Sequence, residues 1–125
     1  MIRDAKLWTW HVLAGIVILV FLALHMAIMH LDVLLGWFNA PGTHPIDWAN
    51  VVARGKSVFF TVTYIVLLGA ALFHGLYGLR NILLELNPPA WLKRATGVIL
   101  LLAGLGFFIL GTWVAVASHT LAGSV

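Results

Sequence analysis

Three stretches of this 125-residue chain carry no Asp, Glu, Lys or Arg: 25 residues between Lys6 and Asp32, 23 between Lys56 and Arg80, and everything from Ala95 to Val125. A hydrocarbon core of about 30 Å needs about 20 helical residues to cross it, and lipid leaves the backbone no hydrogen-bond partner outside its own helix. The runs therefore predict an all-α membrane protein with three transmembrane helices, near residues 8–35, 57–86 and 91–118, forming a single domain over 1–125. With 62% hydrophobic and 9% charged residues, soluble enzyme classes are poor readings. The first run is too long for a leader's apolar core and no A-x-A site follows it, so it is read as a retained span. Trp8, Trp10, Trp37, Trp91 and Trp113 lie near the proposed interfaces, where an indole is half wet.

Basic residues near the span ends set the orientation. Arg3, Lys6, Arg80, Lys93 and Arg94 fall on one side, and only Arg54 and Lys56 on the other. The N-terminus and the Asn87-Pro88-Pro89 turn are expected in the cytoplasm, with the C-terminus outside, in an inner (cytoplasmic) membrane. No basic patch with interleaved aromatics exists, which argues against nucleic acid. The outer connection contains Pro45 to Arg54, readable as a short interfacial helix with Ile46, Val51 and Val52 toward lipid. In the third span Gly97, Gly104 and Gly111 recur every seven residues, a pattern that lets a neighbouring helix approach closely.

Chemistry must come from six histidines, because there is no cysteine. That absence excludes disulfides, thiolate metal sites, iron–sulfur clusters and covalently attached c-type haem in this chain. His11, His30, His44 and His119 fall near span ends or in the outer loop, where an imidazole is hydrated. His25 and His74 lie well inside uncharged spans, where ionisable groups mark a function or a bonded partner. Gly75 and Gly78 follow His74 at i+1 and i+4, leaving a small-residue face on which a flat macrocycle can lie. Bis-histidine b-type haem is the reading these residues favour, one ring nitrogen on iron and the other donating to a carbonyl one turn back. Zinc is disfavoured, since no tetrahedral ligand cluster occurs within a span. Counted from the inner ends of their helices, His74 and His25 differ in height by about 8 Å. The reading is therefore two stacked haems, each shared with a partner chain, with His30 as the alternative to His25 on the outer side.

The stretch Phe73 to Leu86, with His74, Gly78 and Glu85 in the pattern H-x3-G followed by an acidic residue eleven after the histidine, resembles the second-helix signature of succinate dehydrogenase and fumarate reductase membrane anchors. Gly15 through His25 resembles the G-x9-H pattern of the dihaem cytochrome b anchors in the same superfamily. The resemblance implies an electron-transfer subunit of succinate:quinone oxidoreductase without a succinate site of its own. It implies haem b, one or two per complex, bound with a second membrane-anchor subunit. It also implies docking of an iron–sulfur subunit and a flavoprotein subunit on the cytoplasmic side, and delivery of electrons to quinone. His74 and His25 are the implied iron ligands, with Gly78, Gly75, Gly15 and Arg80 around the cofactor. Tyr77, Arg80, Asn81, Glu85 and Trp91 are the polar candidates for a quinone contact. The tyrosine that single-haem members carry after the acidic residue is replaced by Leu86. The rival readings are a cytochrome b subunit of hydrogenase or formate dehydrogenase type and a haem-free membrane scaffold.

Overall fold

A computed structural model describes residues 2–31 and 44–124; the side chains of residues 2–4 and 31 are outside that description, as are Asp32 and Trp37. The described residues form four α-helices: α1 (Ile2–Met26), α2 (Trp48–Lys56), α3 (Val58–Glu85) and α4 (Ala90–Gly123). A π-helical turn, Ala27–Leu31, continues α1 and carries His30. Three of the helices are long and apolar enough to cross a membrane. The chain is a multi-pass integral membrane protein. The expected spans differ from the observed helices chiefly at two ends: α1 begins at Ile2 instead of residue 8, and α4 runs to Gly123.

Sequence chemistry accounts for the breaks. Ser57, in extended conformation, separates α2 from α3; its N–H closes on the Arg54 carbonyl, and its own carbonyl accepts the Thr61 N–H. At the other end Asn87 takes a positive φ of 48°, a conformation that asparagine tolerates better than most residues. Its N–H caps the Leu84 carbonyl at 3.1 Å. Pro88 and Pro89 then forbid continuation, and the Pro89 carbonyl opens α4 by accepting from Leu92 and Lys93.

The middle helix is α3, which packs against α1 on one side and α4 on the other, while α1 and α4 make no backbone approach among the described residues. The three spans thus form a layer. Such a layer has no interior in the soluble sense: of the described apolar side chains only Ile28 and Ala122 are buried, and Leu19, Leu101 and Ile109 are more than 60% exposed. A bilayer is the solvent that makes such a surface tolerable. Thr9, Thr61 and Thr63 bond their hydroxyls back to carbonyls of their own or adjoining helix turn at 3.0, 3.3 and 2.8 Å, which removes the cost of placing them in hydrocarbon.

The glycines of α4 determine how closely it meets α3. A Cβ at Gly104 would lie 2.8 Å from Leu76 Cδ1, and one at Gly111 only 2.4 Å from Leu68 Cδ2. Leucine knobs on α3 therefore occupy glycine notches on α4. The short α2, the interfacial helix expected near Pro45–Arg54, folds back over the end of α4. His119 Nδ1 donates to the Gly55 carbonyl at 2.8 Å, Asn50 donates to the His44 carbonyl at 2.8 Å, and the buried Arg54 donates to the Pro45 carbonyl. Ile46, Trp48 and Val51 remain exposed around this clasp.

Overpacking the notch tests this arrangement. Gly111→Val should destabilise the protein by about 1–3 kcal/mol in detergent, whereas Gly106→Val, at a position with nothing within 4 Å of a new Cβ, should leave thermal stability within about 0.5 kcal/mol of wild type. Helicity followed during heating reads both.

Candidate functional site: a paired imidazole between two spans

His74 projects from α3 toward α1, and what it meets there is His11. The two rings stack with centroids 4.0 Å apart and planes 7° from parallel. His74 Nδ1 lies 3.0 Å from the His11 main-chain oxygen. A carbonyl only accepts, so Nδ1 carries the proton, and in the neutral ring the lone pair is then left on Nε2. Among the described residues Nε2 has no hydrogen-bond partner, and it is not among the enclosed unpartnered atoms. The expected carbonyl one turn back on the same helix is replaced by one across the helix interface.

Glycine makes this contact possible from both sides. A Cβ on Gly15 would stand 3.1 Å from His74 Cε1 and 3.3 Å from Nδ1, and one on Gly78 would stand 3.3 Å from His11 Cε1. Each helix carries a histidine and a glycine four residues later, and each histidine sits over the other helix's glycine. In an α-helix that spacing places both on one face. The face beside Gly78 that the sequence suggested for a macrocycle is occupied by the His11 imidazole, while Gly75 opens onto free space. His11 Nδ1 is enclosed with no partner, and Tyr77 leans on the His11 ring at 5.3 Å.

His11 is the residue that sequence reasoning missed. The sequence places it near the start of the first span, where nothing marks it as facing another helix; in the structure it lies within α1 and stacks on His74. The detectable signal was the repeated H-x3-G spacing, His11 to Gly15 and His74 to Gly78.

The other candidates are dispersed. His25 stands edge-on to Tyr64 at 6.3 Å, beside a void of about 10 Å³ lined by Phe60, Thr63 and Tyr64 among others. It lies ten residues past Gly15, about 15 Å along the axis, and Gly15 lies against the His74 ring. His30 is exposed in the π turn, next to residues outside the description. Arg80 is six residues from His74, about 120° round the helix, and lines a cavity of about 560 Å³ between α3 and α4 together with Tyr77. Asn81 is half-buried, and Glu85 and Trp91 are exposed near the α3–α4 turn. Among the described residues no three histidine or carboxylate side chains gather into a metal-holding group.

Of these residues, His74 is the one that would hold a haem iron. A ring with one nitrogen tethered and the other open is the donor arrangement that iron ligation requires. His11 cannot be the opposing ligand to the same iron in this geometry, since parallel face-to-face rings do not aim their nitrogens at a common point between them.

The chain is similar to a succinate dehydrogenase hydrophobic membrane anchor subunit. That protein, from Archaeoglobus fulgidus, is 29% identical over 107 residues, covering 85% of this chain and 83% of its relative. The resemblance drawn from His74, Gly78 and Glu85 and this similarity point to the same family. No family model matches the chain, and no solved structure matches it.

The stacked pair should be energetically coupled. A double-mutant cycle of His11→Leu and His74→Leu on the haem-free protein should return a coupling of about 0.5–1.5 kcal/mol, read from thermal unfolding; additive single effects would mean that the rings do not pack on one another.

Proposed function

We propose that this chain is a membrane-anchor subunit of a succinate:quinone oxidoreductase, holding haem b through His74 against a second anchor subunit and supporting electron passage from an iron–sulfur subunit to quinone. The observation that carries the reading is the cross-helix tether of His74 Nδ1 to the His11 carbonyl, which leaves Nε2 as a fixed, unshared donor within a span. Similarity to an anchor subunit over most of both chains supports it.

Bound haem would supply a one-electron redox change that no side chain here can undergo. The work of this chain is to hold and orient. Donation from Nδ1–H to a carbonyl selects the tautomer and makes Nε2 a better ligand. Gly15, directly under the ring, fixes its position because any side chain there would displace it. Phe73 and Tyr77, stacked at 5.7 Å on the same helix, add apolar surface next to the ligand. A further ligand to that haem would come from the partner subunit, as the His11 ring is stacked on His74 and His25 lies about 15 Å along α1. His25 serves a second, outer haem in this reading, again on the face that a partner covers, with His30 as the alternative. Tyr77 and Arg80 are the quinone candidates that share one cavity. Asn81, Glu85 and Trp91 lie toward the turn, the side on which the flavoprotein and iron–sulfur subunits dock if the five-to-two distribution of basic residues sets the cytoplasmic face.

His74→Ala should remove the inner haem from the purified complex, and Gly15→Leu should lower its content by displacing the ring. His11→Ala should retain it, because the hydrogen bond comes from the main chain. Reduced-minus-oxidised spectra and pyridine extraction give the stoichiometry; unchanged haem content in His74→Ala would overturn the assignment.

A further inference from the structure

The cavity between α3 and α4 lies on a different face of α3 from His74, and its chemistry is different. Its volume is about 560 Å³, and its lining is apolar apart from Tyr77 and Arg80. Its length matches the thickness of half a membrane: from Arg80 to Gly69 on α3, and from Gly97 to Phe108 on α4, is eleven residues, about 16 Å of helix against a leaflet hydrocarbon depth of about 15 Å. Glycine creates the space, since Gly97 presents only Arg80 Nε, at 3.8 Å, to a new Cβ.

Arg80 decides what fits. It stands five residues before the end of α3, about 7.5 Å from that end, within reach of the headgroup level for a side chain that extends its charge toward water. Among the described residues it has no hydrogen bond or carboxylate partner, an uncompensated cation within a span. Arg94 continues the same face of α4 one turn nearer the Asn87 turn. Lys93 is engaged with Asn87 Oδ1 at 3.1 Å.

We propose that this slot is a binding site for an anionic phospholipid, with its phosphate on Arg80 and one acyl chain running along Leu76 and Gly104 to Phe108. A neutral amphiphile would fill the slot but leave the guanidinium uncompensated; a phosphate accepts its hydrogen bonds and its charge together. The proposal gives this cavity to lipid in place of the quinone suggested for Tyr77 and Arg80, and it does not depend on haem, because His74 is not among the residues that line the cavity, which Leu7 of α1 also borders.

The test uses the purified complex, stripped of lipid in nonionic detergent and offered phosphatidylglycerol or phosphatidylcholine of identical chains, with retained lipid counted by mass spectrometry after gel filtration. One phosphatidylglycerol per chain should be retained in preference to phosphatidylcholine. Arg80→Gln should weaken retention about fivefold, Arg80→Lys should preserve most of it, and Gly97→Leu should abolish it with the charge intact. Excess inorganic phosphate should not displace the lipid, because the acyl chain holds it. Equal retention of both lipids, retention unaffected by Arg80→Gln, or displacement by inorganic phosphate would each overturn the proposal. The Arg80 pair decides the matter even if Gly97→Leu fails to fold, since Gln and Lys are both sterically conservative at that position.

Discussion

A polar ring inside a membrane span must find its hydrogen-bond partner on protein, since lipid offers none. For His74 that partner is the carbonyl of His11 on the neighbouring helix, 3.0 Å away. Much of the architecture at this level follows from it. The helices must approach closely enough for the contact, which requires Gly15 beneath one ring and Gly78 beneath the other. The tautomer is then fixed with the proton on Nδ1, which leaves the Nε2 lone pair free of that bond. The bond that satisfies the membrane is the one on which the proposed ligand role rests.

The same logic of small residues runs through the rest of the layer. On its other side α3 meets α4 through leucines seated in Gly104 and Gly111, so the central helix is gripped from both sides without any large buried core. Beside the Leu76–Gly104 contact a slot remains, bordered by Gly97 and Phe108, with Arg80 at its end. Two sites of different character thus lie on two faces of one helix: an imidazole with an open nitrogen toward α1, and a cation over hydrocarbon toward α4.

The spans were legible because uncharged runs of that length have one solution in lipid, and the α3–α4 turn because Asn87-Pro88-Pro89 both caps and forbids helix. His74 was legible from its depth. His11 was not, because a histidine near the start of a span carries no sign of which helix its ring will face. Its partner carbonyl was out of reach of sequence reasoning for a different reason: a main-chain acceptor leaves no residue-type signature. The division of labour between His74 and Arg80 was readable in principle, since a spacing of six residues puts them on different faces. The neighbour each face meets is a matter of tertiary packing, and so is the contact of Gly15 with the His74 ring.

The tautomer of His74 is the most direct measure of this account. Solid-state nitrogen NMR of the histidine-labelled, haem-free protein in bilayers, assigned by loss of signal in His74→Ala, distinguishes a protonated from an unprotonated nitrogen at each ring position. The account predicts a neutral ring with the proton on Nδ1, in through-space contact with the His11 carbonyl, and a bare Nε2. A proton on Nε2, or a ring with no contact to His11, would contradict it.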